Sequence, residues 1–412
     1  MNYLFLHQNF PGQYKNIARH LAADPANRVV FVTQPNPNRL QGVIRVEYQP
    51  ARPPTKDVHH YVRDLEGAVL NGQAVWRACK RLAAGGFRPD IVVGHNGWGE
   101  TLFVKDVWPD VPLVGYFEFF YGVDGADVGF DPVYPVRDDD APRLRIKNSI
   151  NLLGLTACDW GHTPTEWQRR QFPALYRPRI FCIHEGIDTA VAAPRDDAVV
   201  ALDDTTRLTR ADEIVTYVSR SLEPYRGFHV FMRALPALLA RRPHARVLIV
   251  GADDVSYGGR HPSGRSFREV MLEELGDRLD LSRVHFLGRV RYETYLAVLQ
   301  ISSVHVYLTF PFVLSWSMLE AMSAGCIVVG SDTAPVREVL ADGQNGLLVD
   351  FHDAEALAAK VAGVLAERGD HAALGRNARK SVQERFDFNR VVRPAFTDLL
   401  AGIARGRVAA AP

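Results

Sequence analysis

VHVYLTFPFVLSWSMLEAMSAGCIVVGSDTAPVREVLADGQNGLLV, residues 304–349, is the stretch that decides the reading. Val304–Leu308 is a short run of β-type residues, and Pro311 marks a turn. A helical stretch starts near Ser315–Trp316 and runs to Ala324. Gly325 ends it, and Cys326–Gly330 follows as a second apolar strand. Strand, loop, helix and strand in succession make one unit of a parallel α/β sheet. The loop ahead of the helix is placed to aim backbone N–H groups and a positive helix end at an anion. Glu320 stands one turn inside, about 6 Å along the axis from the helix start. A carboxylate there would repel a diphosphate, but it can accept hydrogen bonds from the hydroxyls of a sugar lying beyond. The spacing alone equally allows Ser317-x-x-Glu320 to be a capping box.

Working outward, the same alternation fills the chain. Its 412 residues are enough for two or three domains with large buried cores. A hydrophobic content of 47% with 23% charged residues is that of an ordinary globular protein. A net charge of +1 argues against a protein that coats nucleic acid, so no nucleic-acid partner is expected. The start, MNYLFLHQNF, has no basic n-region and breaks its apolar run at His7, so it reads as a first strand and not as a signal peptide. No run approaches the length of a membrane-spanning helix. Cys79, Cys158, Cys182 and Cys326 have no metal or redox spacing, which points to a cytoplasmic setting.

In the first half, Asn2–Leu6, Arg28–Thr33, Ile91–Gly94, Val111–Phe117 and Ile180–Ile183 are apolar runs of buried-strand type. Helical stretches lie between them at Gln13–Ala22, His59–Ala84 and Pro142–Leu153. This is a doubly wound pattern, in which ligands bind beyond the carboxyl ends of the strands. The loops there are informative. His7–Gly12 carries Gly12, which would let a ligand approach the backbone, or would simply turn the chain. Gly94–Glu100 includes Trp98, suited to stacking on a sugar face or to packing a helix. Tyr116–Gly122 sets Glu118 among aromatics, where an apolar environment would raise its pKa and suit it to chemistry; a strand-end surface carboxylate is the alternative. Asp138–Asp140 reads as solvated surface and not as a metal site, so no metal and no cofactor are expected. The basic residues Arg143, Arg145 and Lys147, with Arg169, Arg170, Arg177 and Arg179, are either solvated surface or a peripheral contact with the inner membrane face.

In the second half, strand Ile214–Val218 leads into a loop with Arg220 and Arg226 just ahead of a helix from Phe228. Two guanidinium forks at a strand end that opens a helix suit phosphate oxygens. Strand Arg246–Val250 is followed by a glycine-rich insert, Val255–Ser266, expected to be a mobile loop. Strand Val284–Gly288 ends at Arg289–Val290, and a helix over Tyr292–Ile301 returns to the opening stretch. Helices from about Asp353 to Glu384 close this half, a last helix covers about Phe388–Ile403, and Arg405–Pro412 is expected to fray.

LEAMSAG (Leu319–Gly325), GSDTAPVREV (Gly330–Val339) and DGQNGLLV (Asp342–Val349) resemble the donor-binding half of GT-B glycosyltransferases, most closely the retaining family 4 enzymes. The resemblance implies two Rossmann-like doubly wound domains facing across a cleft: residues 1–195 for the acceptor, residues 196–385 for the nucleotide-sugar donor, and a helix in 386–412 crossing back to the first domain. It implies transfer of a sugar from a nucleoside diphosphate sugar to a glycan, lipid-linked or small-molecule acceptor, with retention and without a metal. Glu320 matches the second acid of the family's Glu-x7-Glu pattern and would hold the ribose, while Phe312 stands where the first acid falls. Arg220 matches the family's Arg, and Arg226 stands six residues on in place of its usual Lys. These two and Glu118, where many members carry His, would be the catalytic groups. HQNFPGQ takes the place of the glycine-rich first loop, with Gly12 toward the donor. Arg289 and Val290 would line the base pocket, and Leu314, Ser315 and Trp316 would also bind the donor. A nucleotide-sugar-binding protein without catalysis and a nucleotide-sugar epimerase are the alternatives on the same architecture. The absence of Gly-x-Gly-x-x-Gly after the first strand argues against an NAD enzyme.

Overall fold

The computed structural model describes residues 1–408. It resolves into two units. One holds Met1–Gly129, Tyr134–Gly186 and the chain from Phe388; the other holds Phe130–Val133 and Ile187–Asp387.

The first unit is built on seven strands: β1 (Asn2–Leu6), β2 (Arg28–Thr33), β3 (Val43–Glu47), β4 (Ile91–His95), β5 (Leu113–Tyr116), β6 (Trp160–Thr163) and β7 (Ile180–Cys182). They lie in the order β3-β2-β1-β4-β5-β6-β7, all parallel. The central strands are apolar throughout because helices cover both faces. Leu4, Phe5, Val30, Phe31, Val92 and Val93 are fully buried. On one face Phe5 and Phe31 pack with Phe388, Phe396 and Leu400, from the last helical stretch of the chain. The helix Arg393–Ala404 therefore belongs to the core of the first unit.

The second unit contains a small antiparallel hairpin, β8 (Val199–Ala201) with β9 (Arg207–Thr209), and six parallel strands. These are β10 (Ile214–Ser221), β11 (Arg246–Ala252), β12 (Val284–Gly288), β13 (Val304–Tyr307), β14 (Ile327–Ser331) and β15 (Leu347–Val349), in the order β12-β11-β10-β13-β14-β15. The helix between β13 and β14 spans Trp316–Ser323. Ser315 caps its start by accepting from the Ser317 amide at 3.3 Å. Gly325, at φ +81°, ends it in a Schellman turn: the Cys326 amide reaches the Ala321 carbonyl at 3.0 Å and the Gly325 amide reaches Met322 at 3.1 Å. Arg379 donates to the carbonyl of Ser323.

Several expectations shift. Val111–Phe117 shortens to β5, and Pro142–Leu153 breaks into helices Asp140–Lys147 and Ser149–Ala157. The change of unit falls at Gly186–Ile187 instead of at 195–196, because Ile187, Ala192 and Ala198 bury in the second unit's core. The insert after β11 is tied down where it begins, by a carboxylate described below. Of the tail expected to fray, residues 409–412 lie outside the described residues.

Candidate functional site

In each sheet the strand order reverses once, between β1 and β4 and between β10 and β13. Connections run to opposite faces at such a point and leave a crevice beyond the carboxyl ends of the strands. Both candidate sites lie beyond these ends.

In the second unit an open pocket of about 460 Å³ is lined by Arg220, Arg289, Val290, Gly251, Tyr292 and Tyr295, among others. Arg220 ends β10 and is exposed, and among the described residues it makes no ion pair. Arg289 is also exposed, 3.9 Å from Asp254. Tyr292 and Tyr295 sit on one face of helix Tyr292–Gln300, three residues apart. Their hydroxyls donate to the two oxygens of Glu320 at 2.7 and 2.6 Å. Burial and the Glu320 charge push both phenols well up from their usual pKa, so they remain donors. The Glu320 carboxylate is thus fixed between two phenols that line the pocket. Its helix is capped by Ser315, so the Ser317-x-x-Glu320 capping box does not form.

The other donor-side residues are placed differently. Arg226 is 5% exposed, and its Nη1 donates to the Tyr307 hydroxyl (3.1 Å), Thr309 Oγ1 (2.8 Å) and the Val313 carbonyl (2.9 Å). It holds the loop after β13 and does not line the pocket with Arg220. Leu314 is buried in the core, with Trp316 packed against it. The Ser315 amide donates to the Tyr307 hydroxyl at 2.8 Å. Phe312 is buried beside Tyr225 and Tyr257, ring centroids 5.4 and 5.1 Å away. An acid there would need a polar partner in an aromatic nest.

Glu223 carries a role that spacing did not suggest. It is fully buried, and its carboxylate accepts from the amides of Ser256, Tyr257 and Gly258 at 2.9–3.2 Å. It anchors the start of the insert expected to be mobile. Its far end, Ser266, caps helix Phe267–Leu275 in a capping box with Glu269.

In the first unit a second pocket of about 460 Å³ is lined by His95, Trp98, Glu118, Asn71 and Lys147, among others. His95 stacks on Trp98, centroids 4.2 Å apart at 22°. The hydrogen bonds fix proton positions. His7 Nδ1 accepts from the Asn9 amide at 2.8 Å, so its Nε2 carries the proton and donates to Gln13 Oε1 at 2.6 Å. Gln13 Nε2 then donates to Glu118 Oε1 at 3.1 Å. Burial pushes the His7 pKa well down, as a neutral ring requires. His95 Nδ1 accepts from the Gly97 amide at 3.0 Å, which leaves the proton on Nε2. That Nε2–H is buried, has no hydrogen-bond partner among the described residues, and lies 3.8 Å from Glu118 Oε2. Glu118 thus faces Gln13 and His95, and it lines the pocket with the aromatic rings of Trp98, Phe119 and Tyr121. Gly12, at φ +53°, packs under His7; a Cβ there would meet the imidazole at 2.7 Å.

The acidic run is engaged on the surface. Asp139 accepts from Tyr61 and lies 2.8 Å from His60 Nε2, and Asp140 pairs with Arg143 at 2.7 Å. Lys147 lies 3.8 Å from Asp64, and Arg169 pairs with Glu166 at 3.0 Å. Among the described residues no helix is long and apolar enough to cross a membrane.

Residues 25–192 match the family model described as Glycosyl transferase family 4 group, and residues 204–381 match that described as Glycosyl transferases group 1. The phosphatidyl-myo-inositol mannosyltransferase of Mycolicibacterium smegmatis is 34% identical over 44% of this chain and 43% of its own length. The D-inositol 3-phosphate glycosyltransferase of the same organism is 30% identical over 63% of this chain and 54% of its own. The chain thus spans about half the length of these curated relatives. Among solved structures, sucrose-phosphate synthase from Thermosynechococcus elongatus superposes with a TM-score of 0.72 at 19% identity, over 98% of this chain and 100% of that one. Anabaena Alr3699/HepE, in complex with UDP and glucose, gives 0.68 at 16% identity over the same shares. These likenesses establish the fold.

Proposed function

Because the chain belongs to the family 4-like glycosyltransferases of GT-B fold, we propose that it moves a sugar from a nucleoside diphosphate sugar to an acceptor hydroxyl in glycoconjugate biosynthesis. Transfer proceeds with retention and without a metal. One observation carries the reading: Arg220, Arg289 and Val290 converge on one pocket with the phenols that fix Glu320. Each oxygen of a carboxylate can accept a second hydrogen bond. The ribose hydroxyls of the donor supply it at Glu320, and Arg289 and Val290 flank the base.

When the bond from the anomeric carbon to the phosphate oxygen breaks, its electrons go to the diphosphate. Arg220, a cation with no ion-pair partner among the described residues, meets that growing charge. Arg226 acts as a positioning residue, through the loop it holds. Relatives named for phosphatidyl-myo-inositol and D-inositol 3-phosphate support a hydroxylated acceptor, lipid-linked or free, and HepE crystallised with UDP supports a nucleotide donor. Glu118 and the His95 Nε2–H form a gap suited to an acceptor hydroxyl, which donates to the carboxylate and accepts from the imidazole. A lipid-linked acceptor would bring the protein to the inner face of a membrane.

Calorimetry with UDP, GDP and ADP tests the donor site. Wild-type protein binds one of them, and Glu320→Gln weakens that binding about tenfold or more, the loss of a charge-assisted contact. Equal affinity in the variant refutes the assignment.

A further inference from the structure

At the opposite edge of the second unit's sheet, where β13 and β14 begin, lies another pocket, of about 520 Å³. Ser302, Ser303 and Ile327 form its floor, and four arginines line it: Arg210, Arg368, Arg376 and Arg379. Asp196 is the one acid in the lining, and among the described residues none of the four guanidinium groups forms an ion pair. That concentration of cations is unusual in a chain whose net charge is +1.

Two of the four are held rigidly by neutral acceptors. Arg368 donates to the carbonyls of Asp212 (3.2 Å) and Arg210 (2.8 Å). Arg379 donates to those of Ala192 (3.2 Å), Thr189 (3.1 Å) and Ser323. Backbone carbonyls orient these side chains without forming an ion pair with them, and Arg379 feels a nearby carboxylate, that of Asp387. Asp212 is bound to the amide of Thr209 at 2.8 Å, and the buried Asp387, which acts on Arg379, accepts from the Thr189 hydroxyl. Among the described residues Arg210 and Arg376 make no hydrogen bond through their side chains, which leaves their N–H donors available. Two preorganised guanidinium groups, two adaptable ones and a pair of serines at a concave site match a phosphate group, whose oxygens accept several charge-assisted bonds at once. A single carboxylate would leave most of the charge unanswered.

We propose that this pocket binds a small anion carrying at least one phosphate group, at a site separate from the donor pocket. The phosphate belongs either to a soluble phosphorylated compound or to a phospholipid headgroup, and the chemistry of recognition is the same for both. The assignment does not depend on the transferase reading, since it rests on residues at the other edge of the sheet.

The test uses the full chain as wild type, Arg210→Ala/Arg376→Ala and Arg220→Ala. Fructose 1,6-bisphosphate is titrated calorimetrically, and vesicles of phosphatidylglycerol are floated with each protein. Wild type binds in one of the two arms. In that arm the double variant loses about tenfold or more, since two charge-assisted contacts go, while Arg220→Ala stays within about threefold. Loss confined to calorimetry assigns a soluble compound; loss confined to flotation assigns a headgroup. No binding in either arm, equal binding by the double variant, or equal weakening by Arg220→Ala overturns the proposal. Arg376→Gln, a single change at an exposed position, gives a smaller loss in the same direction and serves if the double variant fails to fold.

Discussion

Arg220 and Arg226 lie on one short loop, but their surroundings make their removal fail in opposite ways. Arg226→Ala leaves the Tyr307 hydroxyl, Thr309 Oγ1 and the Val313 carbonyl without their shared donor, in a place where water does not reach. At roughly 1 kcal/mol for each lost bond, with a cavity penalty added, the cost is about 3–5 kcal/mol. For a unit of this size that lowers the melting temperature by about 10 °C. Arg220→Ala removes an exposed side chain that makes no ion pair among the described residues and should leave stability within about 0.5 kcal/mol. Its cost appears in turnover. Charge on the leaving diphosphate grows toward the transition state, so kcat falls on the order of 100-fold, about 2.7 kcal/mol, with a smaller change in the donor KM. Thermal melts and donor kinetics on both variants separate the two effects. If Arg220→Ala kept its kcat within about threefold, or if Arg226→Ala melted with the wild type, the division of labour drawn here would be wrong.

Three further outcomes follow. Tyr295→Phe removes one of the two donors that fix Glu320, so nucleotide affinity should drop about tenfold at nearly constant melting temperature; unchanged affinity would separate Glu320 from the nucleotide. Glu223→Gln should speed hydrogen exchange at Ser256–Gly258 by more than about tenfold, because a neutral amide oxygen accepts more weakly than the carboxylate that now takes all three amides; unchanged exchange would show that the insert is held by other contacts. The buried Asp131–His229 pair, 2.7 Å apart, gives a pH signature. Burial pushes the Asp131 carboxyl up, but the His229 imidazole and the Val133 amide outweigh it and hold it below its ordinary value. A depressed folded pKa contributes stability that is present above the unfolded value of about 3.9 and is lost as pH falls through the folded one. Asp131→Asn should therefore cost about 3 kcal/mol at neutral pH and flatten the acid limb of stability in denaturant melts; a parallel acid limb in the variant would refute the linkage.

The alternation of apolar runs and helical stretches was enough to place most strands of both sheets. Those it missed have physical reasons. β3 and β15 are partly exposed edge strands, β15 only three residues long, and β6 is four residues long with a histidine buried in it. The hairpin β8–β9 hides in a stretch poor in large apolar residues, where Val200 and Leu208 alone carry the packing. At the site, the positions of Arg220 and Glu320 were legible, because a strand end and the first turns of a helix can be read locally. Tyr292 and Tyr295 were not, since they reach Glu320 from a helix 25 to 28 residues away in the chain. Their i,i+3 spacing was the available signal. Arg226 misled for a related reason: a guanidinium after a strand end looks the same in sequence whether it points to a ligand or into the protein. His7 and Gln13 flank the loop singled out at the start of the chain, yet only the fold brings them to Glu118.

The most direct test of the central claim is to follow a panel of nucleoside diphosphate sugars by proton NMR in the presence of the protein and a polyol acceptor, myo-inositol. One donor should be consumed, with release of its nucleoside diphosphate and growth of a new anomeric signal of the same configuration as the donor's. Binding without release of the nucleoside diphosphate, or release of an epimerised sugar, would contradict a retaining transferase and favour the binding-protein or the epimerase reading.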